Sequence, residues 1–132
     1  MMKIDQGFLI NKLKYNENSI IADFYTRENG RISGIIFGGM SKKIKGYLQL
    51  GNHFHLNLNS KNDTKIFSIK VEIIKAFTPI YFNNQKKLHC IISAMSLIKN
   101  LTPENENNIE IFNLIRNLFN ILEKDNWLKN YV

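Results

Sequence analysis

Three lysines stand close together in a glycine-flanked stretch and would suit a negatively charged ligand. Lys42, Lys43 and Lys45 lie in a segment whose composition predicts an exposed loop or a short helical turn. The interval 29–62 contains no Asp or Glu, so no acidic residue within it offsets their charge. Such a local field attracts polyanions, and nucleic acid is the commonest polyanion of the cytosol.

Two of the three arginines flank one predicted tight turn. Arg27 and Arg31 enclose an Asn29-Gly30 pair, which suits the positive φ of a hairpin turn. A guanidinium makes bidentate contacts with phosphate that an ammonium group cannot make. We therefore predict that both arginines contact nucleic-acid phosphates together with the three lysines.

Aromatic residues lie near these cations in the sequence. We assign Tyr15 and Tyr47 to the predicted interface, and Tyr25 and Phe37 also lie close by. Unpaired bases stack on such rings, and each stacked base contributes ~1–3 kcal/mol. For any one of these rings, burial in a small barrel core is the alternative.

Other groups that could do chemistry lack the partners that their chemistry needs. His53 and His55 share a strand face, but no cysteine or carboxylate nearby completes a metal site, so we expect exposed histidines and no metal. Cys90 is the only cysteine, and beside His89 it has no third group to orient it as a nucleophile, so we expect a small buried hydrophobe. Gly38-Gly39 lacks the spacing of a phosphate-binding loop. We predict no catalytic residue, no cofactor and no enzymatic activity.

The composition is that of a folded domain with a basic N-terminal part. The chain has 132 residues, 44% of them hydrophobic, and a formal net charge of +7. Residues 1–80 hold 12 basic and 6 acidic side chains. The 15 Lys and 19 Asn against 3 Arg also match an A+T-rich coding sequence, so the number of lysines carries less weight than their position. No apolar run has membrane-spanning length and no signal peptide is visible, so we expect a cytoplasmic protein.

The first 80 residues have the period-two pattern of β-strands. Strands are predicted over 7–14, 19–25, 31–37, 53–58 and 66–77, with turns at 15–18, 27–30 and 60–63. Five strands at this spacing predict a small antiparallel β-barrel.

The pattern changes to helical spacing near residue 84. One helix is predicted from Lys86 to about Asn100 and a second from about Asn108 to Lys124. Apolar residues cover most of the second helix, so we expect it to need partners on more than one side. Residues 125–132 resemble a third helix that begins and then breaks off. We predict an α+β protein with a barrel domain over 1–80 and the beginning of a truncated α-helical domain over 81–132.

Several blocks, in order along the chain, resemble the RecO family of bacterial recombinational DNA repair proteins. They are Gly7 to Ile10, Tyr15 to Ser19, Asp23 to Arg31, Phe37 to Lys43, Leu48-Gln49, and the Pro-containing turn from Leu101 to Glu104. The stretch Phe24-Tyr25-Thr26-Arg27-Glu28-Asn29-Gly30-Arg31 is the most specific of these blocks.

The resemblance implies an N-terminal OB-fold joined to a helical domain. It implies a nucleoid-associated recombination mediator that binds single- and double-stranded DNA and anneals complementary strands. RecR, RecA and single-strand-binding protein are its implied partners. Many members have a basic residue where Phe37 stands, and their zinc motif and pocket for the tail of single-strand-binding protein would fall beyond residue 132.

Two alternatives remain open. In the first, the chain is a protein-interaction adaptor whose barrel and apolar second helix form docking surfaces. In the second, it is an RNA-binding OB module without DNA-annealing activity, which would share the same electrostatics.

Overall fold

Five strands and three helices make up the fold, in a computed structural model that describes residues 2–60 and 66–124. The strands are β1 (Met2–Lys14), β2 (Ser19–Thr26), β3 (Gly30–Phe37), β4 (His53–Asn59) and β5 (Phe67–Lys75). The helices are α1 (Lys42–Lys45), α2 (Gln85–Leu101) and α3 (Ile109–Leu122), and a 3₁₀ turn at Thr78–Tyr81 precedes α2. All five predicted strands and both long helices are present, and the α+β prediction is confirmed. Two predicted features, the residue 60–63 turn beyond Ser60 and the helix after residue 124, lie outside the described residues.

The strands close into a barrel in the order β1-β2-β3-β5-β4, with β4 paired back to β1. The prediction of a purely antiparallel barrel is wrong, because β3 and β5 pair in parallel at Gly34↔Phe67 and Ile35↔Ser68. The connection through α1 carries the chain across the barrel, so β4 pairs with β1 and β5 is left to close against β3. The closed five-stranded arrangement is consistent with the OB-fold implied by the resemblance.

The barrel interior is filled by the alternate apolar residues that the strand pattern predicts. Its buried members are Leu9, Ile20, Ala22, Phe24, Ile32, Ile36, Leu48, Phe54, Leu56, Leu58 and Ile69. Since successive strand side chains point to opposite faces, the strand residues among these turn inward while their neighbours face solvent or the helices. Leu48 enters the core from the segment between α1 and β4.

A second core joins the barrel to the two long helices. Phe8 and Ile10 of β1 point away from the barrel interior and pack with Ile91 and Met95 of α2 and with Phe119 of α3. The run Phe8-Leu9-Ile10 is therefore apolar throughout, because β1 is buried on both faces here. Cys90 packs at the edge of this core and is partly buried.

Helix α3 has one buried face. Phe112, Ile115, Leu118, Phe119 and Leu122 face the second core. The remaining apolar side chain in its middle, Leu114, is 64% exposed. The barrel and α2 thus cover a single stripe of α3, and the described residues supply no partner on its other side.

Candidate nucleic-acid interface

The three predicted lysines lie on α1 and are exposed. Ser41 caps this one-turn helix, its Oγ accepting a hydrogen bond from the Ile44 N–H at 3.4 Å. Ile44 packs against the barrel core, which turns the flanking side chains of Lys42, Lys43 and Lys45 outward. No acidic residue lies in the helix, so the whole turn is cationic.

Two further lysines, Lys12 and Lys14 at the end of β1, lie beside α1. Both line a cavity of about 230 Å³ together with Lys45 and Met40. Lys12 Nζ donates a hydrogen bond to the carbonyl oxygen of Leu48 at 2.5 Å. Burial, and then the nearby charge of Lys45, lower the pKa of Lys12. We call this group of five, Lys12, Lys14, Lys42, Lys43 and Lys45, the lysine surface.

Two exposed aromatic rings border the lysine surface. Tyr15 follows β1, and its N–H donates to the carbonyl oxygen of Ser19 at 3.0 Å. Ser19 in turn pairs with Phe37 across β2 and β3, so both rings lie at the same end of the barrel. Tyr15 is 55% exposed and Phe37 is 64% exposed. Both rings are accessible for stacking.

Tyr47 has a different environment from Tyr15. It is partly buried and packs against the barrel core, with its ring centroid 6.4 Å from that of Phe54. Its carbonyl oxygen accepts a hydrogen bond from the Asn52 side chain at 2.9 Å. These contacts make Tyr47 a packing residue beneath the lysine surface.

The two predicted arginines lie at the opposite end of the β2–β3 hairpin. The pair Thr26↔Gly30 marks their end and Ser19↔Phe37 marks the other. The two pairs are seven residue steps apart along β2, which at a rise of ~3.3 Å per residue is about 23 Å. The seven predicted site residues therefore do not form one contiguous site.

Arg27 and Arg31 also differ from each other. The side chain of Arg31 is only 16% exposed, and its Nε donates to the Thr102 carbonyl oxygen at 3.0 Å. Arg27 is 51% exposed and lies 3.9 Å from the Glu28 carboxylate, a contact between exposed charges that contributes little. Only Arg27 of this pair has its guanidinium open to a ligand.

The predicted set does not contain Lys12 and Lys14, which the structure places beside Lys45. Their signal was present, since two lysines spaced by two at a strand end, followed by Tyr15, share one side of β1. Phe37 is also absent from the predicted set. Its place at the strand end, beyond the last inward-facing residue Ile36, is what exposes it.

The expectation that both histidines of β4 are exposed is wrong, because His55 is partly buried and His53 packs against other rings. The His53 ring stacks on Phe8 with centroids 4.5 Å apart, between the barrel and α3. Burial, and then the charge of Arg116, lower the pKa of His53 from 6.5 to about 4, so the imidazole is neutral at physiological pH. Among residues 2–60 and 66–124, no group of three or more His, Cys, Asp or Glu side chains is placed to hold a metal ion.

The structure defines an α+β protein, and its closed five-stranded barrel is consistent with an OB-fold. The family described as "Recombination protein O N terminal" matches residues 1–77. Proteins named DNA repair protein RecO from Rickettsia africae (strain ESF-5) and Rickettsia conorii (strain ATCC VR-613 / Malish 7) are each 31% identical over 128 residues, which is 97% of this chain and 54% of each relative. The protein of that name from Ehrlichia chaffeensis (strain ATCC CRL-10679 / Arkansas) is 28% identical over 130 residues, 97% of this chain and 52% of the relative.

The chain belongs to the RecO family of DNA repair and recombination proteins. It spans about half the length of the curated relatives it matches. No helix among residues 2–60 and 66–124 is both long and apolar enough to cross a membrane.

Proposed function

We propose that this chain is the DNA-binding N-terminal part of a non-enzymatic recombination mediator. It binds single- and double-stranded DNA, anneals complementary strands, and acts with RecR to help RecA replace single-strand-binding protein in the nucleoid. Residues 1–80 form the DNA-binding domain and residues 81–132 the start of the helical domain.

The observation that carries the proposal is the lysine surface. Within the described residues, none of its five ammonium groups takes part in an ion pair; the three pairs involve Arg27, Arg31 and Lys75 instead. Glu17, in the turn after β1, is the nearest acid along the chain. Unpaired cations at one end of a barrel are available to neutralise phosphates and release their counterions, which favours binding without reading sequence.

The bordering rings supply the second element of strand binding. Bases of a single strand stack on Tyr15 and Phe37 while the lysines follow the backbone. Stacking accepts every base, because every base has a π face. A strand held by its backbone and its stacked bases still presents its Watson–Crick edges, and this is what annealing to a complementary strand requires.

The test is fluorescence anisotropy with a labelled single-stranded oligonucleotide over a range of salt concentrations. Binding should weaken steeply with salt. Changing Lys42, Lys43 and Lys45 together to Ala should flatten the slope of log K against log salt by up to ~2, since each phosphate contact contributes ~0.7 for a single strand.

A charge-matched variant controls for net charge alone. Lys70, Lys86 and Lys124 are exposed and lie in β5, in α2 and after α3, so changing all three to Ala removes the same charge from other elements. This variant should keep most of the wild-type slope. Equal slopes for the two triple variants would reject the lysine surface as the binding site.

The same titration separates the alternatives. Stronger competition by RNA than by DNA of the same sequence would favour an RNA-binding module. Absence of binding even at low salt would favour the adaptor, for which the exposed apolar side chains Leu97, Leu101 and Leu114 on α2 and α3 are the docking candidates.

A further inference from the structure

A second cationic site lies between the barrel and α3, away from the lysine surface. It is an open cleft of about 430 Å³. We call it the barrel–helix cleft, and its polar lining consists of Gln6, Arg27, His53, Lys75, Arg116, Asn120 and Glu123.

The charges of this cleft leave two guanidinium groups without a strong partner. Lys75 Nζ is 3.2 Å from Glu123 Oε1, so these two charges largely cancel. Arg116, exposed on α3, makes no ion pair with any described residue. Within residues 2–60 and 66–124, the ion pairing of Arg27 is limited to the long contact with Glu28. The cleft therefore carries a net charge of about two positive units from two different elements, by Coulombic counting of these side chains.

Apart from the Lys75–Glu123 pair, the other polar side chains that line the cleft are uncharged, so its net positive charge comes from Arg27 and Arg116. His53 forms part of the wall, and its buried Nε2 has no hydrogen-bond partner among the described residues. Its low pKa keeps it uncharged. The amide side chains of Gln6 and Asn120 add neutral N–H donors on opposite sides, from β1 and α3.

We propose that the barrel–helix cleft binds a phosphate group between Arg27 and Arg116. A tetrahedral oxyanion accepts hydrogen bonds in several directions, which suits guanidinium forks that approach from two elements with amides beside them. A single planar carboxylate is satisfied by one fork. The cleft is large and open enough for the phosphate to be free or part of a nucleic-acid strand.

Nuclear magnetic resonance of the arginine side chains tests this directly. The chain has only three arginines, so the Nε–Hε region holds three side-chain signals. Titration with inorganic phosphate at constant ionic strength should shift the Arg27 and Arg116 signals together and saturably. The Arg31 signal, tied to Thr102, should stay in place and serves as the internal control. No saturable shift, an equal shift of all three signals, or an equal response to acetate would overturn the proposal.

Two single-residue variants test the role of Arg116. Arg116→Gln should weaken phosphate binding, followed at the Arg27 signal, by about tenfold or more, because a charge-assisted contact is lost. Lys86→Gln, which removes a charge outside the cleft, should leave binding unchanged. If Arg116→Gln also left it unchanged, the two-arginine site would be wrong.

Two oligonucleotides identify the source of the phosphate. Shifts with both 5′-phosphorylated and 5′-hydroxyl strands indicate a backbone phosphate, and shifts with the phosphorylated strand alone indicate a strand end. A response to inorganic phosphate only indicates a free anion. The inorganic phosphate titration does not depend on the lysine surface. The variant with Lys42, Lys43 and Lys45 changed to Ala should therefore retain it even if that surface binds no DNA.

Discussion

The guanidinium of Arg31 in β3 is bound to the backbone carbonyl of Thr102, which lies 71 residues further along the chain. Its Nη1 lies 3.5 Å from Glu104 Oε1, and the Arg31 carbonyl oxygen accepts a hydrogen bond from the Asn105 N–H at 2.8 Å. One residue of the barrel thus holds the turn between α2 and α3 by three contacts. Its positive charge is used inside the fold.

We expect Arg31→Lys to destabilise the protein by ~1–2 kcal/mol, because a flexible ammonium cannot reproduce the Nε contact with Thr102 and the contact with Glu104 together. Urea denaturation measures the loss. The salt slope of DNA binding should be unchanged. Lys70→Ala, which alters an exposed strand residue, should change stability by less than ~0.5 kcal/mol. A fully stable Arg31→Lys protein with weakened DNA binding would return Arg31 to the DNA interface.

The contact between the β2–β3 hairpin and the 104–106 turn also requires a glycine at position 30. Gly30 has a φ of +68°, and a Cβ added there would collide with the backbone carbonyl of Glu106. Gly38 has a similar φ of +76°, but a Cβ there meets nothing within 4 Å. Gly38→Ala should therefore cost only the ~1 kcal/mol of an unfavourable φ, whereas Gly30→Ala should cost clearly more, because the turn must also move. Thermal unfolding of the two variants gives the comparison, and equal losses would mean that the 104–106 turn yields freely.

The sequence predicts which strand residues face the barrel interior, but it does not predict how the strands pair or which of the predicted site residues lie together. Period-two patterns such as Phe54, Leu56 and Leu58 identify inward-facing residues, because strand geometry alone decides which face each side chain takes. The parallel pairing of β3 with β5 depends on where the chain crosses the barrel, and the local sequence pattern does not indicate that crossing. For the same reason the sequence could not show where Arg31 lies. It is close to the lysines along the chain, but in the fold it lies at the other end of the β2–β3 hairpin and contacts the turn between α2 and α3.

The helical part shows the same limit. The spacing of apolar residues predicts α3, and Asn108 caps it by accepting from the Glu110 N–H at 3.0 Å. The sequence could not show which stripe of a largely apolar helix is buried, because that depends on the position of Phe8 and Ile10 on the outer face of the barrel. His53 looked like a surface residue for the same reason: the helix that covers it comes more than 50 residues later.

His53 makes stability depend on pH. Its pKa in the folded protein is about 4, against 6.5 ordinarily, so the unfolded chain binds a proton more readily. Protonation then favours the unfolded state as pH falls from about 6.5 to 4, and the loss is complete below the folded-state pKa. We expect the melting temperature to fall across this window. The imidazole shares its cleft with these charged groups: Arg116, Arg27 and the Lys75–Glu123 pair.

The variant His53→Phe isolates this contribution. Phenylalanine keeps a ring against Phe8 and cannot titrate, so the melting temperature of the variant minus that of the wild type should rise as pH falls from 7 to 4. The carboxylates common to both proteins cancel in that difference. A constant difference across the range would show that His53 takes no proton on unfolding in this window.

Phe37 provides the sharpest test of how a strand is held at the lysine surface. Its side chain is exposed and supports no core contact, so Phe37→Ala should leave the melting temperature nearly unchanged. Loss of one stacked base should weaken single-strand binding by ~1–3 kcal/mol, and duplex binding by less because paired bases are already stacked on each other. Phe82, exposed near the start of α2, is the matched control, and Phe82→Ala should alter neither.

Because stacking is not an ionic contact, Phe37→Ala should lower the affinity equally at low and high salt and leave the salt slope intact. Equal weakening by Phe37→Ala and Phe82→Ala, or a change in slope with Phe37→Ala, would rule out base stacking at this ring.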